Sequence, residues 1–166
     1  MTRFLCLDNA LATTGWAIYD DKELIRWGKF TTKSSDSLGK RLECITIFLE
    51  EMYEQFKYDI ILFEDCQQQS NRNVQTFHKL SMVKAIILYW CAIKNIPCDC
   101  LAPSHWRSIL KNKYNISWGR NRVNQKAAAK EFVKTFFNIE ATEDECDAVC
   151  LGLAGIIERE GNKSAF

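Results

Sequence analysis

Apolar residues change their spacing along this chain, and each change marks an element. Short apolar runs at 3–7, 15–19 and 24–30, bounded by polar residues, predict three strands, with Asp20-Asp21-Lys22 as the turn between the second and third. Over 37–56, Leu38, Leu42, Ile45, Leu49, Met52 and Phe56 recur at three- and four-residue spacings, the period of an amphipathic helix. An unbroken apolar run at 58–63 predicts a buried strand ending at Glu64. The polar stretch 67–73 has no period and reads as a loop, 74–94 as a long apolar helix and 97–101 as a further short strand. Pro103 opens a short helix over 103–110, because a missing N–H costs nothing in a first turn. Residues 111–121 are polar and predict a mobile loop, followed by a basic helix over 124–137. Thr142-Glu143-Asp144-Glu145 has the form of a capping box, and Ala148, Val149, Leu151, Ala154, Ile156 and Ile157 continue the helix it opens. Three consecutive strands, then strands alternating with helices, predict an α/β fold with a mixed sheet.

With 166 residues the chain is expected to form one domain, 1–166, large enough to bury about two thirds of its unfolded surface. Its 47% hydrophobic and 26% charged residues are those of a globular protein, which excludes fibrous and disordered classes. No apolar run reaches the ~20 residues that span a bilayer, and Arg3 falls too early for a signal peptide, so a cytoplasmic protein without a membrane partner is expected. Several of the eight cysteines sit in predicted strands or on apolar helix faces, as reduced core residues do. Cys98-Asp99-Cys100 has one intervening residue and lacks the spacing of a zinc site.

The net charge of +1 conceals an asymmetry. Between His105 and Lys134 lie Arg107, Lys111, Lys113, Arg120, Arg122, Lys126, Lys130 and Lys134 against one acid, Glu131, so this segment is +7 and the remainder −6. Basic residues on a helix commonly make only a solvated face. Here they are almost unopposed, with Trp106, Tyr114 and Trp118 interleaved, which suits a polyanion whose bases or sugars stack beside phosphate contacts. Nucleic-acid contacts are therefore expected from Arg107, Lys111, Lys113, Trp118, Arg120, Arg122 and Lys130.

Four acids complete the picture. Asp8 follows the run Phe4-Leu5-Cys6-Leu7, Glu64 follows Ile60-Ile61-Leu62-Phe63, and Asp144 and Asp147 lie three apart at the start of the last helix, about 60° apart in direction. Acids in a first helical turn ordinarily complement the macrodipole. Strand carboxyl ends, however, are where α/β folds place ligands, and converging carboxylates with substrate phosphates hold hard cations such as Mg²⁺. Asp65, adjacent to Glu64, points to the opposite face if the strand continues, and Glu143 and Glu145 serve capping. His78 and His105 are assigned ordinary surface or core roles.

Asp8 followed by Thr14-Gly15-Trp16, Glu64 at a strand end, Lys126 in a basic segment and Asp144-x-x-Asp147-Ala148 opening the last helix together resemble the RuvC-type Holliday junction resolvases of the RNase H-like superfamily. The resemblance covers nearly the whole chain. It implies an RNase H-like mixed five-stranded sheet flanked by helices, with Asp8, Glu64, Asp144 and Asp147 as catalytic carboxylates and Lys126 near the scissile phosphate. Phosphodiester hydrolysis suits two Mg²⁺ per site, replaceable by Mn²⁺, with Asp8 expected to bridge them, and the resemblance further implies a homodimer that nicks a four-way junction symmetrically to leave 5′ phosphates. Two departures stand out: Asn9-Ala10-Leu11 replaces the family's Asp-Pro-Gly or Asp-Pro-Ser continuation, and Gln67 replaces a bulky apolar residue. Such divergence, with a composition rich in Lys, Asn, Ile and Phe, suits a bacteriophage member; no residue pattern specifies a helicase partner. The same carboxylates would serve an RNase H-like nuclease acting on flaps, forks or RNA–DNA hybrids, and a non-catalytic junction-binding module would need only the basic segment.

Overall fold

The computed structural model describes residues 1–66 and 74–163, so the expected loop over 67–73, Gln67 included, lies outside the described residues. Strands β1 (Arg3–Asp8), β2 (Thr13–Asp20) and β3 (Glu23–Thr31) form an antiparallel meander. After α1 (Leu38–Phe56), strand β4 (Ile60–Glu64) returns parallel to β1; after α2 (Val74–Lys94), β5 (Cys98–Leu101) adds parallel to β4. Helices α3 (Pro103–Tyr114), α4 (Arg122–Phe137) and α5 (Glu143–Lys163) complete the chain. The sheet order is β3-β2-β1-β4-β5, the mixed five-stranded arrangement expected. No helix among the described residues is long and apolar enough to cross a membrane.

Side chains alternate between the two faces of a strand, and both faces here carry a core. Leu5, Leu7, Ile18, Ile61 and Phe63 pack under α1 and α2. Phe4, Cys6, Ala17, Tyr19, Ile60 and Leu62 pack under α3, α4 and α5. The same parity carries Asp8 and Glu64 to the α5 side and Asp65 to the other, where Asp65 accepts from Lys84 Nζ at 2.5 Å. Helix α5 lies close on the sheet because Gly152 faces it: a Cβ there would stand 2.6 Å from Cys6 Sγ. Tyr19 OH donates to the Val149 carbonyl at 2.8 Å and fixes the helix in position. All eight cysteines are free, and Cys6, Cys91, Cys146 and Cys150 are buried.

Three boundaries or faces differ from expectation. Helix α3 runs on through Tyr114 because Trp106, Leu110 and Tyr114 continue a four-residue spacing inward while Lys111 and Lys113 face water. It ends at Asn115, whose left-handed φ of 59° and N–H to the Lys111 carbonyl (2.8 Å) close the last turn. Helix α4 starts at Arg122, since the Asn121 side chain caps it by accepting from the Asn124 N–H at 2.8 Å. On α2, expected simply as a long apolar helix, Ile87 and Trp90 are core residues, whereas Met82, Leu88, Tyr89 and Ile93 are exposed, so only part of its apolar surface is buried.

Candidate active site

The parallel register of β1 and β4 pairs Leu7 with Phe63, which sets Asp8 and Glu64 side by side at the carboxyl ends of neighbouring strands. Asn9, only 5% exposed, locks this junction: its Oδ1 accepts from the Glu64 N–H at 2.9 Å. The departure from the Asp-Pro continuation thus has a structural role, because a side chain that bridges two strand ends replaces a rigid turn. Thr14 Oγ1 donates to the Ala10 carbonyl at 2.9 Å and holds the intervening loop.

Helix α5 delivers the other two acids. Gly15 pairs with Asp8 across the β1–β2 ladder, and a Cβ on it would lie 1.9 Å from the Asp144 carbonyl oxygen, so the bare glycine lets the helix start touch the sheet. Half of the expected capping box forms, the Thr142 N–H donating to Glu145 Oε2 at 2.6 Å. Asp147 is 4% exposed and Asp144 half-buried.

Charge at the site is only partly balanced. Burial first, then Glu64, Asp147 and Asp144, raise the Asp8 carboxyl well above its ordinary range, with Lys126 acting against them. Burial also raises Glu64, although a hydrogen bond from Trp106 Nε1 to its Oε2 (3.0 Å) favours the ionised form. Burial likewise raises Asp147 despite its ion pair with Lys126 Nζ. For Lys126 burial works against the charge, but Asp147, Asp8 and Asp144 prevail and lift its pKa. Arg107 lies over the Trp106 ring, 4.5 Å from its centroid, and its charge acts on both Glu64 and Asp147. A cavity of about 150 Å³ lies among Glu64, Pro103, Arg107, Arg122, Gln125, Lys126 and Asp147.

These donors fit a hard cation in kind: oxygen ligands, mutually repelling and partly buried. Among the described residues no three acid, histidine or cysteine side chains stand as a closed ligand set. The reason is visible in the hydrogen bonds, since Lys126 engages Asp147 and Trp106 engages Glu64. The Lys126 ammonium occupies the place of positive charge next to Asp147.

The basic residues from the sequence divide in two. Arg107, Arg122 and Lys126 line the cavity, while Lys111, Lys113, Arg120 and Lys130 are exposed on α3, α4 and the loop between them. Trp118 is a correction: 7% exposed, it stands edge-on to Trp106 at 5.4 Å and donates Nε1–H to the Arg107 carbonyl at 2.8 Å, so it anchors the loop rather than offering a face for bases. Of the loop expected over 111–121, residues 111–114 belong to α3, and Trp118 ties the remainder to it. Trp106 is fully buried, and Tyr114 packs on Phe132 and Phe136. His105 engages Glu158 at 2.6 Å, and His78 is exposed. Sequence reasoning missed the parts played by Asn9 and Trp106, for which no local pattern gives a signal; Gly15 did stand in the Thr14-Gly15-Trp16 motif, without a role.

The five-stranded mixed sheet with its flanking helices has the fold of solved RuvC structures. No protein-family model matches the sequence. The chain is similar to the crossover junction endodeoxyribonuclease RuvC of Dictyoglomus turgidum, 23% identical over 159 residues that cover 93% of this chain and 96% of that protein. Its fold matches Thermus thermophilus RuvC in complex with Holliday junction substrate at a TM-score of 0.77, covering 97% of each chain at 13% identity. The yeast mitochondrial Holliday junction resolvase Ydc2 matches at a TM-score of 0.63 and 15% identity, over 97% of this chain and 82% of that one.

Proposed function

We propose that this protein is a metal-dependent, structure-selective endodeoxyribonuclease that resolves four-way DNA junctions by paired symmetric nicks. The observation that carries the reading is the meeting of Asp8, Glu64, Asp144 and Asp147 with Lys126 and Arg107 at the strand ends, on a chain that parallels RuvC over nearly its full length. Asp8, Glu64, Asp144 and Asp147 would hold divalent cations, two Mg²⁺ per site with Mn²⁺ able to substitute, which supply Lewis-acid polarisation of the phosphodiester. The protein's own groups do the rest. Asn9 and Trp106 keep Glu64 in place, so its carboxylate needs little reorganisation when the substrate arrives. Lys126, already confined beside Asp147, and Arg107, held on Trp106, face the negative charge that builds up on the phosphate as water attacks and the 3′ oxygen leaves. Lys111, Lys113, Arg120, Arg122 and Lys130 meet the backbones of branched DNA. A homodimer would present two such sites to a near two-fold substrate, with the exposed stripe of Met82, Tyr89 and Ile93 on α2 as the contact.

The test is cleavage of junction, fork, flap and RNA–DNA hybrid side by side in Mg²⁺. Junctions should be cut fastest, and Asp8→Asn, Glu64→Gln, Asp144→Asn and Asp147→Asn should each nearly abolish cutting while junction binding in Ca²⁺ persists or tightens. Faster cutting of flaps or hybrids would reassign the substrate; chelator-resistant cutting would remove the metal mechanism.

A further inference from the structure

A second cavity, about 470 Å³, adjoins the carboxylate site and shares Pro103, Arg107 and Gln125 with it. Its other walls are Ser104, Ser108, Lys111 and Trp118. Ser104, Ser108 and Lys111 fall at i, i+4 and i+7 of α3 and so form one polar stripe. The two cavities differ in charge. The first is walled by Glu64 and Asp147 as well as cations, whereas the second has two cations and no acid in its lining. One buried donor there is left over: Arg107 Nε has no hydrogen-bond partner, alone among buried side-chain polar atoms of the described residues. A buried unpaired N–H is costly, so an acceptor reaching this position would relieve it. The guanidinium lies over the Trp106 ring, which orients it, and a guanidinium edge matches two oxygens of one phosphate.

We infer that this cavity is a subsite for the phosphodiester next to the scissile one on the cut strand, held without metal by Arg107, Lys111, Ser104 and Ser108. The inference rests on the nuclease reading above and adds to it a second, cation-independent anchor. That anchor sets which linkage enters the carboxylate site. Lys111 and Trp118 also border a third cavity lined by Asn115, Ile116, Ser117 and Gly119, so the strand has a continuing path along α3.

Neutral methylphosphonate linkages test this. Once the cleavage position has been mapped in Mg²⁺, the linkages around it are replaced one at a time and binding of the full-length protein is measured in Ca²⁺ and in EDTA. In the wild type a single neighbour of the scissile linkage should lose about tenfold in affinity in both conditions, whereas the scissile linkage itself should matter only with the cation. In Lys111→Gln combined with Ser108→Ala, the neighbour's penalty should shrink severalfold and the scissile one remain; Arg107→Lys, which keeps the charge but lacks the Nε edge, should shrink the neighbour's penalty as well. A scan in which only the scissile linkage matters, or a neighbour penalty unchanged in these variants, would overturn the subsite. If the protein cuts some other DNA in preference to junctions, the scan on that DNA still decides the subsite, so its fate is separate from that of the resolvase reading.

Discussion

Two side chains, Trp106 and Asp8, set the chemistry of the site in opposite senses. Trp106 donates to Glu64 and favours the ionised carboxylate that a cation needs. Trp106→Phe keeps an aromatic ring but removes the N–H together with the second ring of the indole, so metal affinity measured by calorimetry on the folded variant should fall about tenfold or more, the usual cost of losing a group that orients a ligand. An unchanged affinity would make the indole N–H incidental. Asp8 carries the strain: burial and the neighbouring acids hold its pKa well above the ordinary 3.8. A carboxyl raised in the folded state adds stability that is complete below its unfolded value and lost as pH rises through the folded one. At pH 7 the metal-free protein has therefore lost stability that Asp8→Asn, neutral at every pH, retains. Its Tm in EDTA should rise by about 3 °C, the shift that ~1 kcal/mol makes in a chain of this size, with the gain shrinking as pH falls toward 4. A lower Tm for the variant at pH 7 would contradict this.

Among the elements, α5 matters most, because its first turns must touch the sheet for Asp144 and Asp147 to join Asp8. Gly15 is the contact. In Gly15→Ala the new methyl would meet helix backbone, which cannot swing aside as a flexible side chain can. The start of α5 must shift, at about 1–3 kcal/mol, lowering Tm by roughly 3–10 °C. Cutting should fall about a hundredfold, as small misplacements of reacting groups do, while junction binding in Ca²⁺ stays within about threefold because the basic face on α3 and α4 is untouched. Wild-type cleavage by this variant would show that α5 tolerates displacement.

At the scale of the whole molecule, resolution requires two sites. One protomer has one set of acids, and a single nick leaves a junction unresolved. Tyr89 at 67% exposure and Ile93 at 62% are the most exposed large apolar groups in the second half of α2 and lie four apart on one face. Light scattering should give about twice 19.3 kDa for the wild type. Tyr89→Asp with Ile93→Asp should give a monomer that nicks a cruciform plasmid without linearising it. A double variant that stays dimeric would move the interface elsewhere, and a wild-type monomer would remove the paired-nick proposal.

Local geometry made much of this legible from residues alone. The period of two in strands and 3.6 in helices arises from backbone shape within a few residues, so the five strands, the helix of α1 and the capping box at Thr142 could be read directly. The same parity already separated Glu64 from Asp65. What stayed hidden depends on partners distant in the chain. Asn9 meets Glu64 across 55 positions, Trp106 meets it across 42, and Gly15 is required only because α5 arrives from residue 144. Trp118 looks like a stacking face among lysines until the fold brings Trp106 against it, and Ile87 and Trp90 look like surplus apolar surface until α1 and β4 cover them. Sequence therefore determined the elements and the four acids they carry, whereas the tertiary structure decided which neighbours hold those acids in place, because packing, not periodicity, selects contacts between segments far apart in the chain.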